Sequence, residues 1–446
     1  MLVVGSIVGS GIFLVSPSVA RDVGSPGAFM AAWALGGGVA LAGALSNGEL
    51  GGMFPFSGGE YVYLREAYGP GVGFLSGWTS FWIAFPGSIA ALAAGFSSTA
   101  AGMLGIGSPA VIKGLGLFCI AALTLVNALG LRSGKWLNNA LSATKLAAFA
   151  VLLALGALVG HGALAAASAR PAEGHTWSGI ASALVPVLFA YSGWNAATYV
   201  AGEMRDPARG LGRALGLGTA ICVVLYLAVN AAYLRAMTLG ELAASSDSPA
   251  RLTAERLGGA GFGAVLSPLV AVCVLSSLQA TILVGPRIYQ AMARDGLFFK
   301  PLARSHAATG SPVVALLAQA VISGVELVSS SFDQLLAFAM FSIVAFSTLA
   351  VGAVAVLRWR KPTLRRPFRV PGYPVVPALF IVVNAWVLWS ELVGPYGAGA
   401  LKGMAIVATG IPVYVAFRRR GVDAVSGPRK PASSTSDTAT VPEELR

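Results

Sequence analysis

Apolar runs, most of them roughly twenty residues or longer, recur along nearly the whole chain, separated by short stretches where polar and charged residues gather. They fall at 2–20, 28–53, 71–102, 110–131, 137–160, 178–204, 211–236, 259–292, 312–329, 335–357, 375–392 and 399–417. Each can cross a hydrocarbon core of about 30 Å, allowing for tilt. The pattern predicts an all-α integral membrane protein with about 12 transmembrane helices.

The charged positions between runs sort by side. Arg132 and Lys135 follow the fourth run, and Arg205, Arg209 and Arg213 surround the start of the seventh. Arg287, Arg294, Lys300 and Arg304 lie around the end of the eighth. Arg358, Arg360, Lys361, Arg365, Arg366 and Arg369 precede the eleventh. The alternate connections are poorer: Arg170 is alone between the fifth and sixth runs, and no Lys or Arg separates the ninth from the tenth. The connection between the seventh and eighth breaks the trend with Arg235, Arg251 and Arg256. On balance the positive-inside rule predicts a multi-pass protein of the cell (inner) membrane with both termini cytoplasmic.

Composition agrees with the runs. The chain is 56% hydrophobic and 11% charged, with mean hydropathy +0.75, whereas soluble domains carry about 25% charged residues. The net charge of +12 does not indicate a nucleic-acid partner, because the basic residues sit in loop clusters. Cys119, Cys222 and Cys273 fall inside apolar runs and read as small core residues. His161, His175 and His306 lie in loops and form no ligand cluster, so neither a metal nor a cofactor is expected, and no catalytic constellation points to an enzyme. The apolar start at Leu2 lacks a basic segment before it and runs into Gly-Ser-Gly, unlike a cleaved signal peptide. Residues 1–420 read as one transmembrane domain and 421–446, rich in Ser, Thr, Pro and Glu, as a disordered cytoplasmic tail.

Two runs carry weak points near their middles. The first reads Gly5-Ser6-Ile7-Val8-Gly9-Ser10-Gly11-Ile12-Phe13, and the sixth reads Phe189-Ala190-Tyr191-Ser192-Gly193-Trp194-Asn195. Each glycine costs a helix about 1 kcal/mol relative to alanine, so both are easy to unwind there. Unwound backbone in a bilayer is tolerated where it lines a cavity. It offers N–H groups at one half-helix end and C=O groups at the other, the pair of environments that an α-amino acid's carboxylate and ammonium need. Glycines that merely permit close helix packing are the alternative for the first run taken alone. Interruptions in both the first and sixth spans are matching positions if five-helix halves repeat with inverted topology.

These segments resemble the first-helix and sixth-helix motifs of the amino acid–polyamine–organocation transporters, the sixth being close to the L-type amino acid transporter branch. Pro55-Phe56-Ser57-Gly58-Gly59-Glu60-Tyr61-Val62-Tyr63 resembles the family's segment after helix 2. Glu203-Met204-Arg205-Asp206-Pro207 resembles the end of helix 6, and Arg365-Arg366-Pro367-Phe368-Arg369-Val370-Pro371 the segment before helix 11. The resemblance runs from about Leu2 to the end of the twelfth span. It implies a 5+5 inverted repeat with discontinuous helices 1 and 6, spans 1–5 and 6–10 being the repeats and 11–12 accessory.

By the same resemblance, the N–H groups of Gly9, Ser10 and Gly11 would hold a substrate carboxylate. Carbonyls near Ile7 and around Phe189, Ala190 and Ser192 would meet its ammonium, with Phe189 as an aromatic gate. Asn195 reads either as a polar group ordering the broken segment or as a satisfied core amide. The implied activity is secondary transport of amino acids through a midplane site, by exchange or proton-coupled uptake. Polyamine exchange and a non-transporting amino acid sensor are the alternatives. Relatives carry a segment before helix 1, whereas Met1 is about eight residues from Gly9, leaving a first half-helix of about 12 Å. Either a truncated or misassigned start or a compromised inner gate is therefore expected.

Lys145 lies well inside the fifth run, about 12 Å along the helix from Leu137. That depth is marginal for snorkelling, and intramembrane charges are functional by default. In several family members a lysine on helix 5 occupies the place that a sodium ion takes in sodium-coupled relatives, so the resemblance implies sodium-independent transport. A proton-linked role for Lys145 stays open. Glu49 and Glu203 read as partners of loop arginines, Glu326 and Glu391 as interfacial, and Gln279 as a buried hydrogen-bonding group between helices. No intramembrane acid is expected close to the broken helices, which favours neutral substrates.

Overall fold

The computed structural model describes residues 2–9, 11–158, 177–204, 206–245, 249–330, 332–393 and 397–419. Ser10, Arg205, Arg170, His161, His175 and the 421–446 tail lie outside the described residues. Among the described residues the regular elements are all helical.

The first span is three pieces, α1 (Leu2–Ile7), α2 (Gly11–Leu14) and α3 (Ser16–Asp22). The last is bent by 57° from the helical path before it. Then follow α4 (Pro26–Met53), α5 (Glu60–Tyr68), α6 (Pro70–Thr79), a π turn at Ser80–Ala84, α7 (Phe85–Leu104), α8 (Pro109–Leu129) and α9 (Leu131–Leu158). The sixth span is α10 (Trp177–Tyr191), a turn, α11 (Ala196–Tyr199) and a 3-10 turn at Ala201–Glu203. Beyond it lie α12 (Pro207–Ala236), α13 (Leu239–Ala244), α14 (Pro249–Gly258), α15 (Ala260–Val284) and α16 (Pro286–Arg294). The chain continues as α17 (Val313–Ser329), α18 (Phe332–Arg360), α19 (Val375–Val393) and α20 (Gly397–Arg419).

Seven of these helices or continuous helix runs are long and apolar enough to cross a membrane, and the bent first pair makes an eighth. Among the described residues the chain is thus all-helical, with apolar helices that suit a multi-pass membrane protein. The segments Gly179–Tyr191, Val313–Ser329 and Gly403–Arg418 are apolar but shorter. The eighth expected run is two helices, α15 and α16, joined at Gly285 before Pro286, whose missing N–H starts a new first turn.

Prolines set several of the starts. Pro26 opens α4 behind Ser25, whose hydroxyl accepts the Ala28 N–H at 3.2 Å. Pro207 opens α12 behind Asp206, which caps Arg209 N at 3.4 Å. Within the third span Pro86 cannot donate to the carbonyl one turn back, and the ladder relaxes into the π turn, where Phe85 N–H reaches Ser80 O.

The two broken spans sit at the centre. α1 packs against α9, α12, α15 and α11, while α10 packs against α3, α4 and α19. α4 and α12 run along each other, and α15 lies against both α7 and α9. This surround leaves Ile7, Val8 and Gly9 buried.

At one end of the bundle, charges tie the helices together. Arg358 makes a two-pronged contact with the fully buried Glu49, Nε to Oε1 at 2.8 Å and a terminal nitrogen to Oε2 at 2.6 Å. The Val370 N–H donates to the same carboxylate at 2.7 Å, which gives the 365–371 segment its anchor on α4. Glu203 pairs with Lys135 at 2.8 Å and Arg287 at 3.3 Å, so both acids act as the partners expected. Gln279 joins α15 to α8 and α9 through Asn127 and the Gly134 carbonyl. Glu391 lies near the end of α19 with its side chain buried.

Candidate functional site

The unwound stretches face each other because glycine lets them touch. A Cβ on Gly11 would lie 2.3 Å from Ala190 Cα, and one on Gly193 would lie 3.0 Å from Ser6 backbone atoms. Gly193 also has φ +94°, a conformation that costs an L side chain strain. The close-packing role and the cavity-lining role are thus the same feature here.

Around these stretches lies a cavity of about 110 Å³. Ile7, Gly9 and Gly11 line it from the first span, and Phe189, Ala190, Ser192 and Asn195 from the sixth. Trp194 turns the other way and packs edge-on against Phe380, over Gly43. The far wall comes from the π turn and α7 (Ser80, Phe85, Ser88), from α15 (Ser277, Thr281) and from α18 (Ser342, Phe346). Ser10 lies outside the described residues. The remaining expected site residues gather at one place, except Lys145.

Lys145 is fully buried beneath the site rather than in its wall. Its ammonium donates to the carbonyls of Gly5 and Val8, at the C-terminal end of α1. A Cβ on Gly5 would lie 2.5 Å from Ser142 Oγ, so the bare glycine lets α9 come close enough for this contact. A cation at a helix C-terminus is favourable with the dipole, and this one also occupies two carbonyls that unwinding leaves without partners.

Tyr226, in the middle of α12, was not among the expected site residues. Its hydroxyl lies 2.6 Å from Ile7 O and 3.1 Å from Ala190 O, and accepts the Gly9 N–H at 3.4 Å. One hydroxyl proton cannot serve both carbonyls at full strength, so their lone pairs keep spare acceptor capacity. Phe189 O already accepts from Ser192 N at 2.9 Å. The sequence did contain a signal for this residue: a mid-span tyrosine in an apolar run must find a partner for its hydroxyl.

Glu60 overturns the expectation that no intramembrane acid stands near the broken helices. It lines the cavity, is buried, and its Oε1 accepts from Asn195 Nδ2 and from Ser347 Oγ, both at 2.9 Å. The Gly58-Gly59 turn, with φ +124° and +53°, folds the segment after α4 back to the bundle interior. A run broken by Ser-Gly-Gly reads as a loop, which is why the acid went unplaced. Asn195 answers both of its readings, as a satisfied amide bonded also to Tyr199 OH at 2.9 Å and as a cavity residue. Among the described residues no three His, Cys, Asp or Glu side chains gather to hold a metal.

The model of the amino acid permease family matches residues 1–415. The serine/threonine exchanger SteT of Bacillus subtilis (strain 168) is 32% identical over 424 residues, covering 94% of this chain and 95% of that one. The b(0,+)-type amino acid transporter 1 of Rattus norvegicus is 30% identical, over 93% of this chain and 86% of its own. The large neutral amino acids transporter small subunit 2 of Homo sapiens is also 30% identical, over 93% and 78%.

Proposed function

The chain belongs to the amino acid permease family, and on that premise we propose that it exchanges amino acids across the cell membrane, without sodium, through the cavity between its two broken spans. It is a transporter and not an enzyme, as its family and relatives are. The observation that carries the site is the shared wall: Ile7, Gly9 and Gly11 of the first span and Phe189, Ala190 and Ser192 of the sixth line one cavity, where the N–H groups of Gly9 and Gly11 would offer one environment and the carbonyls of Ile7 and Ala190 the other. An α-carboxylate suits the first and an α-ammonium the second. Ser10, beside them in sequence, belongs to the same proposed grip, and Phe189 and Ser192 close it. About twelve spans with a 5+5 inverted repeat, access alternating around the midplane, and cytoplasmic termini belong to the same reading.

Sodium independence is supported by Lys145. A sodium ion in a broken-helix protein coordinates freed carbonyls, and here an ammonium bonded to Gly5 O and Val8 O serves that purpose. The names of the relatives, a serine/threonine exchanger and a large neutral amino acids transporter, support amino acids as cargo and exchange as the mode. Glu60 removes the argument for neutral substrates alone.

The test is the full chain in liposomes, loaded with unlabelled amino acids and offered labelled amino acids and polyamines, with and without sodium. Entry stimulated by internal amino acid and indifferent to sodium is the expected result. Binding without flux, or polyamine competition without a carboxylate, overturns the reading.

A further inference from the structure

We propose that Glu60 is a proton-binding site of the transport cycle, whose charge state sets the grip on the second half of the broken sixth span. The proposal rests on the cavity being the site of the transported amino acid.

The geometry singles this carboxylate out from the other acids. Glu49 and Glu203 each meet arginine or lysine side chains. Glu60 lines the cavity, yet among the described residues it forms no ion pair. Its donors are a neutral amide on the residue that begins the refolded half of span six, Asn195, and a neutral hydroxyl on α18, Ser347. Asn47 of α4 stands beside it, and the titratable groups facing it are the phenols of Tyr63 and Tyr199. A buried carboxylate with only neutral donors is costly as an anion, so a proton arriving through the cavity has a place to bind.

Protonation would also be felt by the helices. Hydrogen bonds to an ionised carboxylate are about twice as strong as neutral ones. Oε1 holds the Asn195 amide and the Ser347 hydroxyl together, and Asn195 passes the contact to Tyr199. One proton added to the carboxylate weakens the tie between the 195–199 half-helix, α5 and α18. Its release on the other side of the membrane restores the tie and the charge. A local change of charge at a junction of this kind can bias a two-state element.

The full chain in liposomes, with L-serine as probe, tests this. An inward acid gradient is expected to accelerate serine entry several-fold, with a trapped pH dye reporting proton uptake alongside it. Glu60→Gln keeps a carbonyl acceptor for Asn195 and Ser347 but cannot titrate. Whatever rate it retains is expected to be flat against the gradient, with proton uptake lost. Ser347→Ala removes one donor to Oε1 and is expected to move the pH midpoint of entry. A wild-type protein that exchanges serine with no response to the gradient, or a Glu60→Gln variant that keeps the response, overturns the proton site and leaves the exchanger reading standing. No flux of any amino acid in the wild type overturns the exchanger reading, and the proton site with it.

Discussion

The hydroxyl of Tyr226 lies 2.6 Å from the carbonyl oxygen of Ile7, the last residue of α1. The hydroxyl is also 3.1 Å from Ala190 O, so a single side chain from the seventh span touches the backbone of both broken spans. The ring is held by Trp33 and Tyr191, with centroids at 5.8 and 5.0 Å. The hydroxyl is thus fixed by packing independent of its hydrogen bonds. It holds the unwound stretches together while leaving carbonyl capacity for a ligand.

Tyr226→Phe keeps that packing and removes only the hydroxyl. Ile7 O, Ala190 O and Gly9 N then lose a shared partner, a loss of about 1–3 kcal/mol where the groups are buried. The expected outcome is a KM for exchange raised about tenfold or more, with a smaller fall in maximal rate. Initial rates of labelled amino acid entry over a concentration series check it. A variant with unchanged KM would remove Tyr226 from the site.

Lys145→Ala leaves Gly5 O and Val8 O without their donor in a buried place. Exchange is expected to fall at least about tenfold, because each unsatisfied group costs about 1–3 kcal/mol. Lys145→Arg is expected not to rescue it: the planar guanidinium is larger than the ammonium and the residue has no exposed surface to expand into. Exchange assays of the two variants beside wild type decide the point, and full activity in Lys145→Ala would end the claim that this cation replaces a metal.

Much of the fold was legible because hydropathy and helix length are one-dimensional properties. The glycines of 5–11 and 192–195 announced where the first and sixth spans would unwind. The second bend of the first span at Val15 is marked by no glycine between Ile12 and Ala20 but by Pro17, in the first turn of α3, whose missing N–H breaks the ladder. Tyr226 and Glu60 were not legible. Each reaches the site from an element far away in sequence, 219 residues from Ile7 in one case and 135 from Asn195 in the other. Local pattern reports a residue's own helix, and long-range partners emerge only once the helices are packed. Asn195 shows the converse: the motif flagged it, and its partners make it a satisfied amide and a cavity residue at once.

The glycines of the first span differ in what they face, and substitutions should reveal it. An alanine Cβ at Gly9 would sit 2.0 Å from Ser277 Oγ and 3.0 Å from its Cβ, both side-chain atoms. An alanine Cβ at Gly11 would sit 2.3 Å from Ala190 Cα, which is backbone. Overpacking of this kind costs about 1–3 kcal/mol. Ser277→Gly is therefore expected to restore the melting temperature lost in Gly9→Ala, while Ala190→Gly leaves the Gly11→Ala loss in place. Thermal melts of the detergent-solubilised single and double variants provide the comparison. Rescue of both pairs would contradict the backbone contact between the two broken spans.

The connection between α12 and α14 gives a pH dependence outside the membrane-spanning helices. Thr238 caps α13, its hydroxyl accepting the Glu241 N–H at 3.3 Å while Glu241 accepts the Thr238 N–H at 2.7 Å. Arg256 donates to the same carboxylate at 2.8 Å. The hydrogen bond from Arg256, then those from Thr238, hold the Glu241 carboxyl down to about 2, below its usual 4.5. A depressed folded-state value stabilises the cap above the usual value and loses that stabilisation as pH falls from 4.5 toward about 2. Amide protection of residues 239–244, corrected for intrinsic exchange, should therefore drop across that interval. Glu241→Gln should begin at the lower level and stay flat, because it keeps an acceptor and has no charge to lose. Equal protection in wild type and variant at neutral pH would show that packing of α13 against α3, and not the cap, holds this segment.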